Sequence, residues 1–151
     1  MNSKYIIAIT LLLLISSCSG IGKSLVKSPD LSVTHISISK LSTTEQKINL
    51  KLRIDNPNPF TLPIRGFRYN FFVNNNEFIE GFYNNSFDIR SNGNSEIDLK
   101  LSGDLLSLIK KLDLTLLKKI DYTISGDISL LTENLKFPYE YKGEVSILSL
   151  L

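Results

Sequence analysis

Cysteine, tryptophan and histidine are scarce in this chain of 151 residues, which has one cysteine, one histidine and no tryptophan. A single cysteine excludes an intramolecular disulfide, so the fold must be held together by burial of apolar side chains. His35 is accompanied by no nucleophile-elbow pattern and by no second histidine. The sequence therefore lacks a triad of nucleophile, base and orienting acid, and it lacks a zinc-binding set. We expect no enzymatic activity, no cofactor and no metal.

Charge of either sign is not in excess. The chain has 17 basic and 15 acidic side chains and a formal net charge of +2. A nearly neutral chain has no strong field that would attract nucleic acid, so nucleic acid is not an expected partner.

Long apolar runs are also missing, because the run Tyr5–Ile15 has about 11 residues where a membrane-spanning helix needs ~20. It follows a short polar start that carries Lys4, and two serines separate it from Cys18. Charged, apolar and small-residue regions in this order are typical of a secretory signal. We expect residues 1–17 to be a signal peptide, with soluble secretion as the alternative.

The cysteine that follows these small residues resembles the lipobox of bacterial lipoproteins. The resemblance implies that Cys18 carries acyl chains such as palmitate and becomes the first residue of the mature protein. Two or more chains anchor a protein stably, whereas one does so only marginally. Ser19, where some lipoproteins have aspartate, resembles an outer-membrane sorting signal. The implied location of the protein is the cell envelope. There it would be anchored to the lipid of the outer membrane and would face the periplasm or the cell surface.

Residues 18–30 have the composition of a flexible tether, rich in serine, glycine and lysine. Fully extended, the twelve residues after Cys18 span at most about 40 Å. We therefore divide the chain into a signal peptide (1–17), a lipidated cysteine with its tether (18–30) and one folded domain (31–151).

Within that domain the hydrophobic period is that of β-strands. The clearest strand covers residues 48–55, where apolar and polar side chains alternate strictly. Asparagine-rich runs at 74–76 and 92–94 predict turns. Residues 104–112 have the spacing of a short helix. Further alternating runs predict strands at 31–38, 67–73, 77–82, 86–89, 96–101, 122–130 (interrupted at Gly126) and 145–147. The pattern predicts an all-β fold, an antiparallel β-sandwich of about seven strands like those of immunoglobulin and fibronectin type III domains.

The first clear strand ends in Asn56-Pro57-Asn58-Pro59. Proline cannot donate a ladder hydrogen bond, so the strand must stop there. Asparagine side chains fold onto nearby backbone amides, and a stiff corner should result.

Beyond the corner we expect Phe60, Leu62 and Ile64 to turn inward. Pro63 should define the start of the next strand, and Gly66 should permit a bend before the aromatic run.

Residues 47–81 resemble the water stress and hypersensitive response domain, the folded type 2 group of late embryogenesis abundant proteins. The resemblance continues through Gly126 and Phe137-Pro138 to about residue 149. It implies a β-sandwich, an association with desiccation and other stress, and no established catalytic residues. Its matching elements, in chain order, are Asn56 to Pro59, Leu62-Pro63-Ile64, Tyr69, Asn74 to Asn76, Gly81 and Gly126.

Two surface features have two interpretations each, because their side chains could contact a partner or lipid or could serve an ordinary structural role. Phe72 breaks the alternation and should point outward, although most aromatic residues here are expected to be core. Four lysines, which could rest on anionic headgroups or form a solvated face, flank a leucine-rich stretch: Lys110, Lys111, Lys118 and Lys119.

The sequence thus predicts a lipid-anchored, non-catalytic envelope protein that protects against desiccation, osmotic or other stress. Two alternatives remain open. One is a binding or assembly module for another, unknown envelope protein. The other is a carrier of a hydrophobic ligand, which would use the sandwich interior or the leucine-rich helix.

Overall fold

The computed structural model describes residues 26–41, 46–103, 119–130 and 135–146. Within these ranges the chain forms eight β-strands. The all-β prediction is confirmed, with eight strands where about seven were expected. The helix predicted at 104–112 lies outside the described residues. The strands are β1 (Asp30–Leu41), β2 (Gln46–Asp55), β3 (Leu62–Val73), β4 (Asn76–Tyr83), β5 (Phe87–Ile89), β6 (Asn94–Ser102), β7 (Lys119–Leu130) and β8 (Leu135–Ser146).

The strands form two antiparallel sheets. One has three strands in the order β1-β2-β6, and the other has five, in the order β4-β3-β7-β8 with β5 also paired to β3. Strand β1 contacts β8, and β6 contacts β4, so the two sheets meet along both edges. This is a sandwich, as the alternating strands predicted.

The strict alternation in β2 explains why the sheets stack. Leu50, Leu52 and Ile54 are fully buried. On the solvent-facing side of the same strand, Lys51 Nζ lies 3.6 Å from Asp98 Oδ1 on β6. One side of β2 therefore faces the core, and the other presents charged side chains to solvent.

The turn between β3 and β4 is a two-residue hairpin loop in which both residues have positive φ, 46° at Asn74 and 63° at Asn75. Such loops match the twist of the strands that they join, and asparagine tolerates this conformation well. Asn74 also exchanges bonds with β7, because its backbone N–H donates to Asp121 O at 2.8 Å and its Oδ1 accepts from Asp121 N at 3.0 Å. The predicted turn is thus confirmed and is joined to a third strand.

Strand β8 is an edge strand of the five-stranded sheet and has 12 residues, far longer than the predicted 145–147. Its alternate side chains, including Phe137, Tyr139 and Tyr141, are half-buried against the core. Pro138 lies within it, a position that an edge strand tolerates.

Within the four described ranges, no helix is long and apolar enough to span a membrane.

Candidate functional site

A network of hydrogen bonds holds the asparagine–proline corner. Asn56 is buried, and its backbone N–H donates to Gly93 O at 2.8 Å. Its side-chain Nδ2 lies 2.8 Å from Phe60 O, 3.1 Å from Ile89 O and 3.0 Å from Arg90 O. One side chain thereby holds the end of β2, the corner itself and the loop after β5 together.

Asn58 extends this network to the N-terminal segment. Its backbone N–H and its Nδ2 each donate to Asn56 Oδ1 at 2.9 Å. Its Oδ1 accepts from Lys27 N at 2.8 Å, and its Nδ2 donates to Lys27 O at 2.9 Å. The amide groups of both asparagines are therefore engaged inside the protein, and the corner shapes the end of the sandwich.

The residues after Asn58 do not all turn inward. Leu62 and Ile64 are fully buried, as expected, but Phe60 is 42% exposed. The prediction for Phe60 was wrong because residues 57–61 lie outside the strands, so the alternation begins only at Leu62. Pro63 lies in β3 opposite Asp88 of β5.

Gly66 produces the predicted bend. Its φ is 152°, and the register of β3 on β7 shifts between Ile64 and Gly66. A Cβ at this position would lie 2.4 Å from Tyr83 O, so only glycine fits.

Gly81 and Gly126 belong to one row that crosses three strands. Both are paired with Tyr69, Gly81 from β4 and Gly126 from β7. A Cβ on Gly81 would lie 2.3 Å from the Tyr69 hydroxyl oxygen, and a Cβ on Gly126 would lie 2.0 Å from Arg68 O. Three residues that are far apart in sequence are thus aligned in one row, in which the Tyr69 ring lies against Gly81 and the backbone of Arg68 lies against Gly126.

A second tyrosine–glycine pair lies between β7 and β8. The ring of Tyr122 occupies the space that a Cβ on Gly143 would need, at 2.4 Å. Burial raises the pKa of Tyr122 to about 12, and the neighbouring Tyr141 adds to the shift. Tyr139 on β8 donates to Arg68 O at 2.8 Å, and burial raises its pKa even more, with a smaller contribution from Asp127.

The outer face of the five-stranded sheet carries an ion pair beside an exposed ring. Arg68 Nε donates to Asp127 Oδ2 at 2.7 Å, and this bond raises the pKa of the Arg68 guanidinium. Within the described part of the chain, Asp127 Oδ1 is buried without a hydrogen-bond partner. Phe82, 49% exposed, shares with this pair the wall of an open concavity of about 450 Å³.

The predicted surface residues are only partly placed by the structure. Phe72 lies in β3 between Glu77 and Thr123 and is half-buried, so Phe82 and Phe60 are the more exposed aromatic side chains. Lys119, in β7, pairs with Glu144 of β8. Positions outside the described residues are Cys18, Lys110, Lys111 and Lys118.

Among the residues for which positions are described, no three histidine, cysteine or acidic side chains lie close enough to hold a metal ion. Val26 packs against the core, so the described part of the expected tether, residues 26–30, lies against the domain.

Comparison with known proteins agrees with this geometry. A solution structure of the Arabidopsis thaliana protein AT1g01470 has 18% identity and a TM-score of 0.65, covering 81% of this chain and 83% of its own. A solution structure of a candidate late embryogenesis abundant protein, At2g46140.1, has 16% identity and a TM-score of 0.59, covering 98% and 89%. A crystal structure of a protein from Archaeoglobus fulgidus has 10% identity and a TM-score of 0.51, covering 80% and 95%. These likenesses concern the fold.

No curated protein matches the chain significantly. The family model described as late embryogenesis abundant protein, LEA_2, matches residues 51–144. That match covers most of the two sheets and contains the corner, the bend at Gly66 and the row of Gly81, Tyr69 and Gly126. The chain belongs to the type 2 late embryogenesis abundant protein family.

Proposed function

We propose that this protein is a lipid-anchored, non-catalytic module of the cell envelope that limits stress damage to the membrane or to proteins beside it. Its family membership supports an association with desiccation, osmotic or other stress. The lipobox-like sequence that ends in Cys18 supports the anchor. The observation that carries the proposal is the corner, where the amides of Asn56 and Asn58 bond within the protein. The motif that marks the family is thus used to build the fold, and protection is assigned to the folded module as a whole.

The outer side of the three-stranded sheet suits such a role. Arg53 pairs with Asp55 on the same strand at 3.0 Å, and Lys51 lies near both Glu96 and Asp98. A surface of interspersed positive and negative charge holds water and resists association between copies. Such pairs contribute little to stability when exposed, so their value here is hydration of the surface.

The anchor is tested with Cys18→Ala in cells that are labelled with radioactive palmitate. We expect the natural protein to carry label and the variant to carry none. Label on the variant would contradict the lipoprotein assignment.

The protective role is tested in a deletion strain that carries the natural gene, Cys18→Ala or Leu52→Asp, with protein levels matched by blotting. Survival after drying or osmotic shock should be restored by the natural protein. It should be reduced by loss of the anchor and lost when the fold is broken at Leu52. A deletion strain that survives as well as the natural strain would overturn the protective role.

A binding module for another envelope protein is a second candidate, and the exposure of Phe82 favours it. The ring lies beside the bend at Gly66, and Phe82 lines both the concavity beside Arg68 and another of about 390 Å³. Exposed aromatic rings beside arginine are typical of protein contacts. Co-purification of one stoichiometric partner with the natural protein, and its loss in Phe82→Ser but not in Phe72→Ser, would favour this candidate over protection.

The hydrophobic-carrier alternative receives less support. The described core contains large, fully buried side chains such as Phe67 and Phe71, which pack against the rings of Tyr83 and Tyr122. A carrier would therefore depend on the leucine-rich stretch, which lies outside the described residues.

A further inference from the structure

The point at which the chain joins the domain defines one end of the sandwich. Val26 packs against the core, and Lys27 is bound through both its backbone N–H and its backbone C=O to the side chain of Asn58. The N-terminal segment is therefore fixed to the corner before β1 begins. The opposite end of β3 carries the hairpin loop at Asn74 and Asn75.

The tether between Cys18 and this junction is short. Val26 follows Cys18 by eight residues, which can span at most about 28 Å. Strand β3 has 12 residues and leads from the corner to the far hairpin over about 40 Å. Since the sandwich is longer than its tether, the corner is the end that an acylated Cys18 would hold close to the membrane.

An exposed aromatic side chain lies at that same end. Phe60 is 42% exposed, and its carbonyl oxygen is held by Asn56 Nδ2 at 2.8 Å. The neighbouring Pro57 and Pro59 are also exposed. Because the backbone that carries this ring is already ordered, insertion of the ring into lipid would cost little additional conformational entropy.

Charge at this end is mixed and would contribute little net attraction. Lys27 and Arg90 are exposed there, as are Asp30 and Asp88. Any contact with lipid should therefore depend on the apolar side chain and respond weakly to salt.

We propose that Phe60, with Pro57 and Pro59, is the membrane-contacting tip of the anchored domain and inserts at the boundary of headgroups and acyl chains. This orientation rests on the proposed lipid anchor. It assigns the corner a second role, in which the buried asparagines position an exposed ring against a lipid surface.

Because the chain has no tryptophan, Phe60→Trp would provide a single fluorescent reporter. The full lipidated protein would be reconstituted into phosphatidylethanolamine and phosphatidylglycerol vesicles with brominated or ordinary acyl chains. Phe82→Trp is the matched control, because Phe82 has similar exposure but lies on the face of the sheet. Pro59→Trp is the second reporter if Phe60→Trp fails to unfold cooperatively.

We expect brominated lipid to quench the emission of the Phe60→Trp variant about twofold, as for a side chain at the acyl boundary, and to leave that of Phe82→Trp unchanged. Raising the salt concentration should not restore the lost emission. Flotation with the vesicles reports the anchor separately. Flotation of Phe60→Trp without quenching, equal quenching of both variants, or quenching abolished by salt would overturn the orientation alone. Failure to float would overturn the lipid anchor and the orientation together.

Discussion

The ring of Tyr69 lies across Gly81 on the neighbouring strand and occupies the space that any larger residue would need. The two residues are paired in register between β3 and β4, and a Cβ on Gly81 would lie 2.5 Å from the Tyr69 Cζ atom. Residues packed this closely should show coupled effects on stability.

Gly81→Ala should therefore lower the free energy of unfolding by about 1–3 kcal/mol, the usual cost of overpacking. Tyr69→Leu should be destabilising by itself but should relieve much of the cost of Gly81→Ala. Urea unfolding of both single variants and the double variant measures the coupling. Strictly additive effects would show that the ring does not lie over the glycine.

Asn56→Ala should lower the free energy of unfolding by about 3 kcal/mol or more, because it removes several hydrogen bonds at once and takes this donor from buried and partly buried carbonyl groups. The effect should exceed the roughly 1 kcal/mol of a single bond, as measured by urea unfolding. A decrease of less than about 1 kcal/mol in the free energy of unfolding would show that the hydrogen bonds of Asn56 do not hold the corner.

Asn56→Asp keeps the shape of the side chain but directs a carboxylate oxygen at Phe60 O, Ile89 O and Arg90 O. These carbonyl groups disfavour the charged form, so the folded-state pKa of the new carboxyl should be raised above its unfolded value of about 3.9. The variant should be destabilised above that raised pKa and recover as the pH falls through it. A pH dependence equal to that of Asn56→Ala, by urea unfolding, would contradict this.

Leu52→Asp should abolish cooperative unfolding, since an uncompensated buried charge costs several kcal/mol against a total stability of about 5–15 kcal/mol. Lys100→Asp is the matched control, because Lys100 is exposed on the outer side of β6, which pairs with β2. Lys51 would be a poorer control, since an aspartate there would face Glu96 and Asp98. Circular dichroism melts should show a native-like transition only for Lys100→Asp, and equal damage would contradict the assigned faces.

Stability should fall in alkaline solution through Tyr122. Its pKa is raised to about 12 by burial, whereas an unfolded tyrosine titrates near 10. The unfolded chain therefore loses the proton first, so this contribution is complete below about pH 10 and disappears as the pH rises through about 12. Tyr122→Phe should decline less steeply over that range in urea unfolding, and an identical slope would assign the alkaline loss to other groups.

The parts of the fold that sequence predicts well are those governed by local pattern. Strand β2 has a strict alternation of period two, and its buried and solvent-facing sides are as expected. The hairpin at Asn74 and Asn75 follows from the tolerance of asparagine for positive φ. Strand β8 also alternates, but the sequence prediction covers only residues 145–147 of it, and Pro138 is compatible with the strand because β8 lies at an edge of its sheet.

The parts that sequence could not predict depend on partners distant along the chain. Arg68 bonds to Asp127 over 59 positions, and Lys27 bonds to Asn58 over 31. Nothing in the local pattern indicates which strands become neighbours, so neither pair could be assigned in advance. The tendency of asparagine side chains to bond nearby backbone groups predicts a corner at Asn56 and Asn58. It does not predict that the Asn58 side chain bonds the backbone of Lys27 in the N-terminal segment.

The position of Pro138 has a consequence for crowding. An edge strand normally offers a row of donors and acceptors on which a second copy can add a strand and start a growing fibre. Residue 138 has no N–H to offer, and exposed Lys136, Glu140, Lys142 and Glu144 alternate along the same edge. A continuous ladder between copies would be interrupted at residue 138, so we expect this edge to resist strand addition when molecules are crowded together.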